Sequence, residues 1–88
     1  MTTQIISYQI EEKVKRVIGN TLGIDDLGHL RNEFTLKSLG ADSLDKIEVI
    51  LFLEEEFRVN FDNFQEDKDT NVGDLVRYVN SNYEGDIV

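Results

Sequence analysis

Ser43-Leu-Asp-Lys-Ile-Glu-Val-Ile-Leu-Phe-Leu-Glu-Glu-Glu-Phe57 is the stretch with the strongest structural signal in the chain. Its apolar residues recur every three or four positions, which is the period of an amphipathic α-helix. We therefore predict a helix over 43–57 with one broad apolar side formed by Leu44, Ile47, Ile50, Leu51, Leu53 and Phe57. The opposite side is acidic and holds Asp45, Glu48, Glu55 and Glu56, with Phe52 among them.

The residues just before this helix form a loop that enters it. Gly40 permits a positive φ or a close backbone approach. Asp42 can cap the helix with its carboxylate, and Asp45 lies in the first turn, where the helix dipole favours anions. Ser43 is then the first helical residue. If Ser43 were itself the cap, a capping box would require Glu or Gln at position 46, where the chain has Lys46.

A serine hydroxyl that the backbone does not need is therefore expected at this helix N-terminus. Unpaired N–H groups and the positive end of the helix dipole make such a terminus suitable for a phosphate group. Taken alone the signal is weak, because a serine near a helix start is more often a cap or a bystander.

A first helix is predicted over residues 4–18. Its apolar stripe consists of Ile6, Ile10, Val14, Val17 and Ile18. Gly19 and Asn20 are plausible stop signals. The connection over 20–41 contains many turn-forming residues, but it also contains too many apolar ones for a flexible linker. We predict an ordered loop folded onto the core, with a short helical turn in it.

The C-terminal part of the chain is predicted to form a short helix over 61–66 and a last helix over 71–83. Asp69 or Thr70 is the expected cap of the last helix. Its apolar stripe consists of Val72, Leu75, Val76, Val79 and Tyr83. The tail, 84–88, is expected to fray.

These elements predict a single all-α domain over residues 1–88. No segment alternates with period two, and there is no proline to break a helix. The expected architecture is a small four-helix bundle, with three main helices, one short helix and a long ordered loop between the first and second helices. The chain has no cysteine, which excludes disulfides and thiolate metal sites.

The charge balance restricts the possible partners. Eighteen Asp and Glu stand against nine Lys and Arg, a formal net charge of −9. Such a surface repels nucleic acid and anionic lipid, and it favours proteins with basic patches. The longest apolar run is too short to span a bilayer, and the N-terminus does not resemble a signal peptide. We expect a cytoplasmic protein with no stable membrane association.

Leu39-Gly-Ala-Asp-Ser-Leu-Asp45, followed by Ile47-Glu48 and Leu53-Glu-Glu-Glu-Phe57, resembles the acyl carrier protein family. The resemblance extends to Asn71-Val-Gly-Asp-Leu-Val-Arg-Tyr-Val79, and the first helix through Leu22-Gly23 also fits in spacing. It covers nearly the whole chain and implies a four-helix bundle.

The resemblance implies a 4′-phosphopantetheine arm that a phosphopantetheinyl transferase attaches covalently to Ser43. The terminal thiol of the arm holds acyl chains as thioesters. The carrier, a monomer, catalyses nothing itself and presents the cargo to acyl-transferring and chain-elongating enzymes of type II fatty acid synthesis. Basic docking patches on these enzymes would contact Asp42, Leu44, Asp45, Ile47, Glu48, Leu51, Glu54 and Glu55. Without the resemblance, solvation and core packing would account for the same residues.

Four positions depart from the family pattern. Lys37-Ser38 replaces an acidic residue before Leu-Gly, Lys46 adds a cation to the first turn, and Phe52 stands where a small residue is common. After Phe57 the family often has Ile-Pro, and this chain has no proline there. These changes leave open a specialised carrier of a polyketide, lipid-modification or other secondary pathway.

An acidic calcium-binding module is a remote alternative. Asp67, Asp69 and Asn71 have the spacing of the first ligands in an EF-hand loop. The required glycine, however, falls at Gly73 instead of position 72, and the twelfth position is Tyr78 instead of Glu. We therefore predict no metal ligands.

A serine hydrolase is the other alternative. Its nucleophile elbow, Gly-x-Ser-x-Gly, would place glycines where this chain has Ala41 and Asp45. The only histidine is His29, in the loop, and it would have to reach Ser43. We therefore predict no catalytic residue.

The excess of acids generates a prediction about stability. Because like charges repel in the folded chain, moderate salt (about 0.15 M) or divalent cations should raise the melting temperature near pH 7. Thermal denaturation followed by circular dichroism would measure the change. A melting temperature that stays flat from low to moderate salt would show that the repulsion is insignificant.

Overall fold

The computed structural model describes residues 8–65, 67 and 69–83. These residues form three α-helices: α1 (Tyr8–Leu22), α2 (Ser43–Phe57) and α3 (Val72–Asn82). They contain no β-strand, only an isolated bridge between Thr35 and Asn71, so the all-helical class is confirmed. No helix in this described part is long and apolar enough to cross a membrane. The predicted helical residues 4–7 and the tail 84–88 lie outside the described residues.

The hydrophobic core lies where α1 packs against both α2 and α3. Each helix contributes residues at three- and four-residue spacing, and the loops contribute further apolar side chains. The buried set is Ile10, Val14, Ile18, Leu30, Leu36, Ala41, Val49, Leu53, Phe57, Val59, Phe61, Val72, Leu75, Val76 and Val79. Full burial of one Val, Leu or Ile side chain stabilises a fold by about 1.5–3 kcal/mol, so these contacts hold the helices together.

The C-terminus of α1 differs from its prediction. The helix continues through Gly19 and Asn20 and ends at Leu22. Gly23 then adopts a φ of 76°, and the N–H of Ile24 donates to the carbonyl of Gly19 at 2.8 Å. This is the Schellman arrangement that closes many helices. Gly19 is thus a buried residue within the helix and not a stop signal. Since it has no side chain, the backbone of Ile24 can approach it closely.

The bounds of α2 agree with the prediction at both ends. Its buried residues are Val49, Leu53 and Phe57. Leu53 and Phe57 were predicted on the apolar side, whereas Val49, which is fully buried, was not. Leu44, Ile47 and Leu51, which the periodicity placed on one apolar side with the core residues, are exposed. The period of the apolar residues is thus helical, but the apolar side is wider than the contact that α2 makes with its neighbours.

The long connection between α1 and α2 is ordered, as predicted, and contains a short 3₁₀ helix over Leu27–His29. Leu30 and Leu36 from this loop are buried in the core. Three backbone hydrogen bonds join the loop to the start of α3, from Leu36 to Thr70 O, from Val72 to Phe34 O and from Gly73 to Asn32 O, at 2.9–3.2 Å. We call residues 32–36 and 70–73 together the clasp.

The short helix predicted over 61–66 is not formed in the described residues 61–65. A single turn is present there, closed by a hydrogen bond from Phe64 N–H to Phe61 O at 2.9 Å. The Asn60 side chain accepts from Asp62 N–H at 2.6 Å. Asn and Asp bond to nearby backbone in this way and compete with helix formation, so the fourth element is a turn.

The last helix begins one residue later than predicted. Its cap is Asn71, whose side chain accepts from Asp74 N–H at 2.7 Å while Asp74 accepts from Asn71 N–H at 3.0 Å. The predicted caps, Asp69 and Thr70, lie before it, and Thr70 is buried. Tyr83 follows the last helical residue and packs edge-on against Phe57, with 5.6 Å between ring centroids.

We predict that Gly19→Ala destabilises the protein. An added Cβ would lie 2.8 Å from the carbonyl oxygen of Ile24, so backbone would have to shift. Ala normally favours a helix over Gly by about 1 kcal/mol. Here we expect a loss of about 1–3 kcal/mol in the free energy of unfolding, measured by urea denaturation.

Asn20→Ala is the matched control, because Asn20 is exposed on the same helix. It should change stability by no more than about 0.5 kcal/mol. An increase in stability for Gly19→Ala would contradict the close approach of the chain at this position.

Candidate functional site

The segment that leads into α2 is held by the loop before it. Ala41 is buried, and its N–H donates to Leu36 O at 3.0 Å. Gly40 adopts a φ of 95°, a backbone conformation that side-chain-bearing residues rarely adopt, and donates to Lys37 O at 2.9 Å. The chain therefore arrives at residue 42 in a defined direction, with Leu36 as a buried anchor.

Asp42 is the N-cap of α2, as predicted. Its carboxylate accepts from Asp45 N–H at 2.8 Å, and Asp45 accepts from Asp42 N–H at 3.1 Å. This reciprocal pair is a capping box in which Asp takes the place of the usual Glu or Gln. The alternative with Ser43 as cap is excluded, since Ser43 is the first residue of the helix.

Ser43 is exposed at the N-terminus of α2. Within the described part of the chain its hydroxyl makes no hydrogen bond, and the N–H groups of Ser43 and Leu44 have no acceptor. The free hydroxyl is accessible to a modifying enzyme. The free N–H groups and the helix dipole favour an anion beside it. These residues therefore fit a phosphodiester on the Ser43 oxygen.

An exposed apolar ridge runs along α2 from this terminus. Leu44, Ile47 and Leu51 are 62%, 55% and 50% exposed. They follow one another at three- and four-residue spacing and therefore form one continuous strip of the helix surface. Sequence reasoning selected all three as partner-binding residues, and the structure brings them together within reach of a protein that approaches Ser43.

The acidic residues selected with them are placed in different ways. Asp42 and Asp45 serve the capping box, while Glu48 is half-buried and Glu55 is exposed. Glu54 accepts a hydrogen bond from Phe61 N–H at 3.0 Å, and so stabilises the turn after α2. Nothing in the sequence signalled this structural role, because the two residues are seven positions apart.

The residues considered for a calcium-binding module or a serine hydrolase make other contacts in the structure. Asp67 accepts from Asp69 N–H at 2.8 Å, and Asn71 caps α3. Among the residues that the structure describes, no group of three or more His, Asp or Glu could hold a metal ion. His29 is exposed, and the ionisable side chain near it is Asp26 of the same loop, at 3.6 Å.

Comparison with known proteins shows the family to which the chain belongs. A family model described as a phosphopantetheine attachment site matches residues 12–79, which include the capped helix start and the clasp. The chain is 41% identical over 73 residues to an acyl carrier protein of Clostridium acetobutylicum, a match that covers 83% of this chain and 95% of that protein. The chain therefore belongs to the acyl carrier protein family, whose cofactor is phosphopantetheine.

Proposed function

We propose that this protein carries acyl groups as thioesters on a 4′-phosphopantetheine arm attached to Ser43, and presents them to enzymes of type II fatty acid synthesis. The observation that supports Ser43 most strongly is its free, exposed hydroxyl beside a cap that is supplied by its neighbour. The choice of pathway follows the resemblance to the acyl carrier protein family, to which the chain belongs.

Attachment requires the Ser43 oxygen to form a P–O bond to the phosphate of the arm. The phosphoanhydride bond of coenzyme A would break as that bond forms, adenosine 3′,5′-bisphosphate would leave with the bonding electron pair, and the hydroxyl proton would pass to a base of the transferase. The Asp42–Asp45 capping box leaves the Ser43 oxygen unbonded for this step. The N–H groups of Ser43 and Leu44 then face the negative charge of the phosphodiester.

The arm, once attached, supplies a terminal thiol for thioester chemistry. The chain's own residues hold the arm's anchor and bind enzymes, and we propose that it catalyses no reaction itself. Leu44, Ile47 and Leu51 would bury their exposed surface against a partner. Glu48, beside this ridge, would face the partner's basic patch and accelerate encounter. We propose a cytoplasmic location with these enzymes.

Incubation with a phosphopantetheinyl transferase and coenzyme A should add about 340 Da to the protein, on Ser43. Intact-mass and peptide mass spectrometry would measure the addition and its position. Ser43→Ala should remain unmodified. Ser38→Ala is the matched control and should be modified normally, because the Ser38 hydroxyl already donates to Thr35 O at 2.8 Å. A modified Ser43→Ala protein would exclude Ser43 as the anchor.

Charge reversal at Glu48 should slow the same reaction. Glu48→Lys places a cation opposite the expected basic patch, so kcat/KM of the transferase for the carrier should fall about tenfold, and low salt should accentuate the loss. Asp25→Lys, at an exposed loop position outside α2 and the clasp, makes the same charge change and should have little effect. An equal loss in both variants would show that net charge, and not this position, matters.

A further inference from the structure

A second exposed surface lies between the C-terminal halves of α1 and α2. It is a groove of about 330 Å³ lined by Val17, Asn20, Thr21, Phe52, Glu55 and Glu56. Phe52 forms an apolar wall of the groove and is 44% exposed. A lone exposed ring needs no special explanation, but this ring borders a concave site in which an apolar side chain could cover it.

The groove lies away from the arm. Phe52 follows Ser43 by nine residues, which corresponds to about 180° around the helix and about 13 Å along it. A protein in the groove would therefore leave the Ser43 hydroxyl accessible. The ridge formed by Leu44, Ile47 and Leu51 lies between the two positions around the helix, so one partner could contact both surfaces.

The rim of the groove is negatively charged. Two cations of α1 are paired with acids of the same helix, Lys15 with Glu11 at 3.1 Å and Arg16 with Glu12 at 2.8 Å. Glu55 has no ion pair within the described residues.

Glu56, the other acid of the rim, has only a long, exposed contact with Lys13, at 3.9 Å. Such exposed pairs contribute little, so the rim keeps its attraction for external cations.

The composition of the lining selects the occupant. Four of its six residues are polar or acidic, which is unfavourable for an acyl chain, since burying those groups without partners costs free energy. We propose that a partner enzyme of this carrier inserts a basic segment here, with one apolar side chain against Phe52 and Lys or Arg beside Glu55 and Glu56. This inference rests on the proposed carrier function, because it assigns the partner a second contact.

A nuclear magnetic resonance titration tests the groove directly. The probe is a 14-residue amphipathic helical peptide of leucine and lysine, added to the full ¹⁵N-labelled chain. We expect the largest amide shifts at Val17, Thr21 and Phe52. Phe52→Ala should weaken binding about fivefold or more, as for an anchor residue, while Tyr8→Ala, which removes an exposed ring outside the groove, should change it by less than about twofold.

Charge variants distinguish binding in the groove from a general attraction between the acidic protein and the basic peptide. Glu55→Gln with Glu56→Gln should weaken binding about tenfold. Asp25→Asn with Asp62→Asn removes the same charge at exposed positions outside the groove, and should have much less effect. Equal losses in the two pairs, shifts centred on Leu44 and Ile47, or no binding at all would overturn the proposal.

A further variant tests the groove without removing a packed side chain, so that weaker binding cannot be attributed to unfolding. Asn20→Lys puts a cation into the groove at an exposed position in the last turn of α1, where cations are tolerated by the helix dipole. It should weaken peptide binding without lowering the melting temperature, and unchanged binding would count against the groove.

Modification of Ser43 is measured on the same proteins. Normal modification with no groove binding overturns this inference alone, whereas an unmodified Ser43 overturns the carrier function itself.

Discussion

The reciprocal hydrogen bonds between Asp42 and Asp45 determine where α2 begins, and the rest of the functional surface follows from that starting point. A shift of one residue would rotate every side chain of the helix by about 100°. Val49 and Leu53 would then leave the core, and the exposed ridge would turn inward. Because Asp42 supplies the capping oxygen, Ser43 stands in the helix with its hydroxyl unused.

The surface of α2 is divided between structural and exposed residues. Val49, Leu53 and Phe57 hold the helix to the core, and Glu54 secures the turn that follows. On the remaining circumference, the apolar side chains of Leu44, Ile47, Leu51 and Phe52 are exposed. Only three of the eight apolar residues of α2 are buried, so the helix gives up hydrophobic stabilisation. Such a surplus is consistent with a protein that must bind several enzymes in turn.

Local signals predicted α2 from sequence because cap, first-turn acid and apolar period all agreed. The failures were at positions decided by how the rest of the chain packs against the helices. Gly19 is a turn-forming residue by composition, yet the approach of Ile24 keeps it within the helix. The side chains of Leu44 and Ile47 are as apolar as core residues, and only the placement of α1 and α3 shows that nothing covers them. The phosphopantetheine arm was predicted only from the resemblance to a known family, because residue spacing alone does not indicate this cofactor.

The clasp has a consequence for how the chain folds. Its bonds join segments about 40 residues apart, such as Asn32 and Gly73, whereas each helix forms from neighbours. Bringing together segments so far apart in the sequence lowers the chain entropy before the new contacts can stabilise the fold. The clasp forms only when the middle of the chain meets the segment that begins α3. The position of Leu36, and with it the entrance to α2, therefore depends on residues that follow α2 in the sequence.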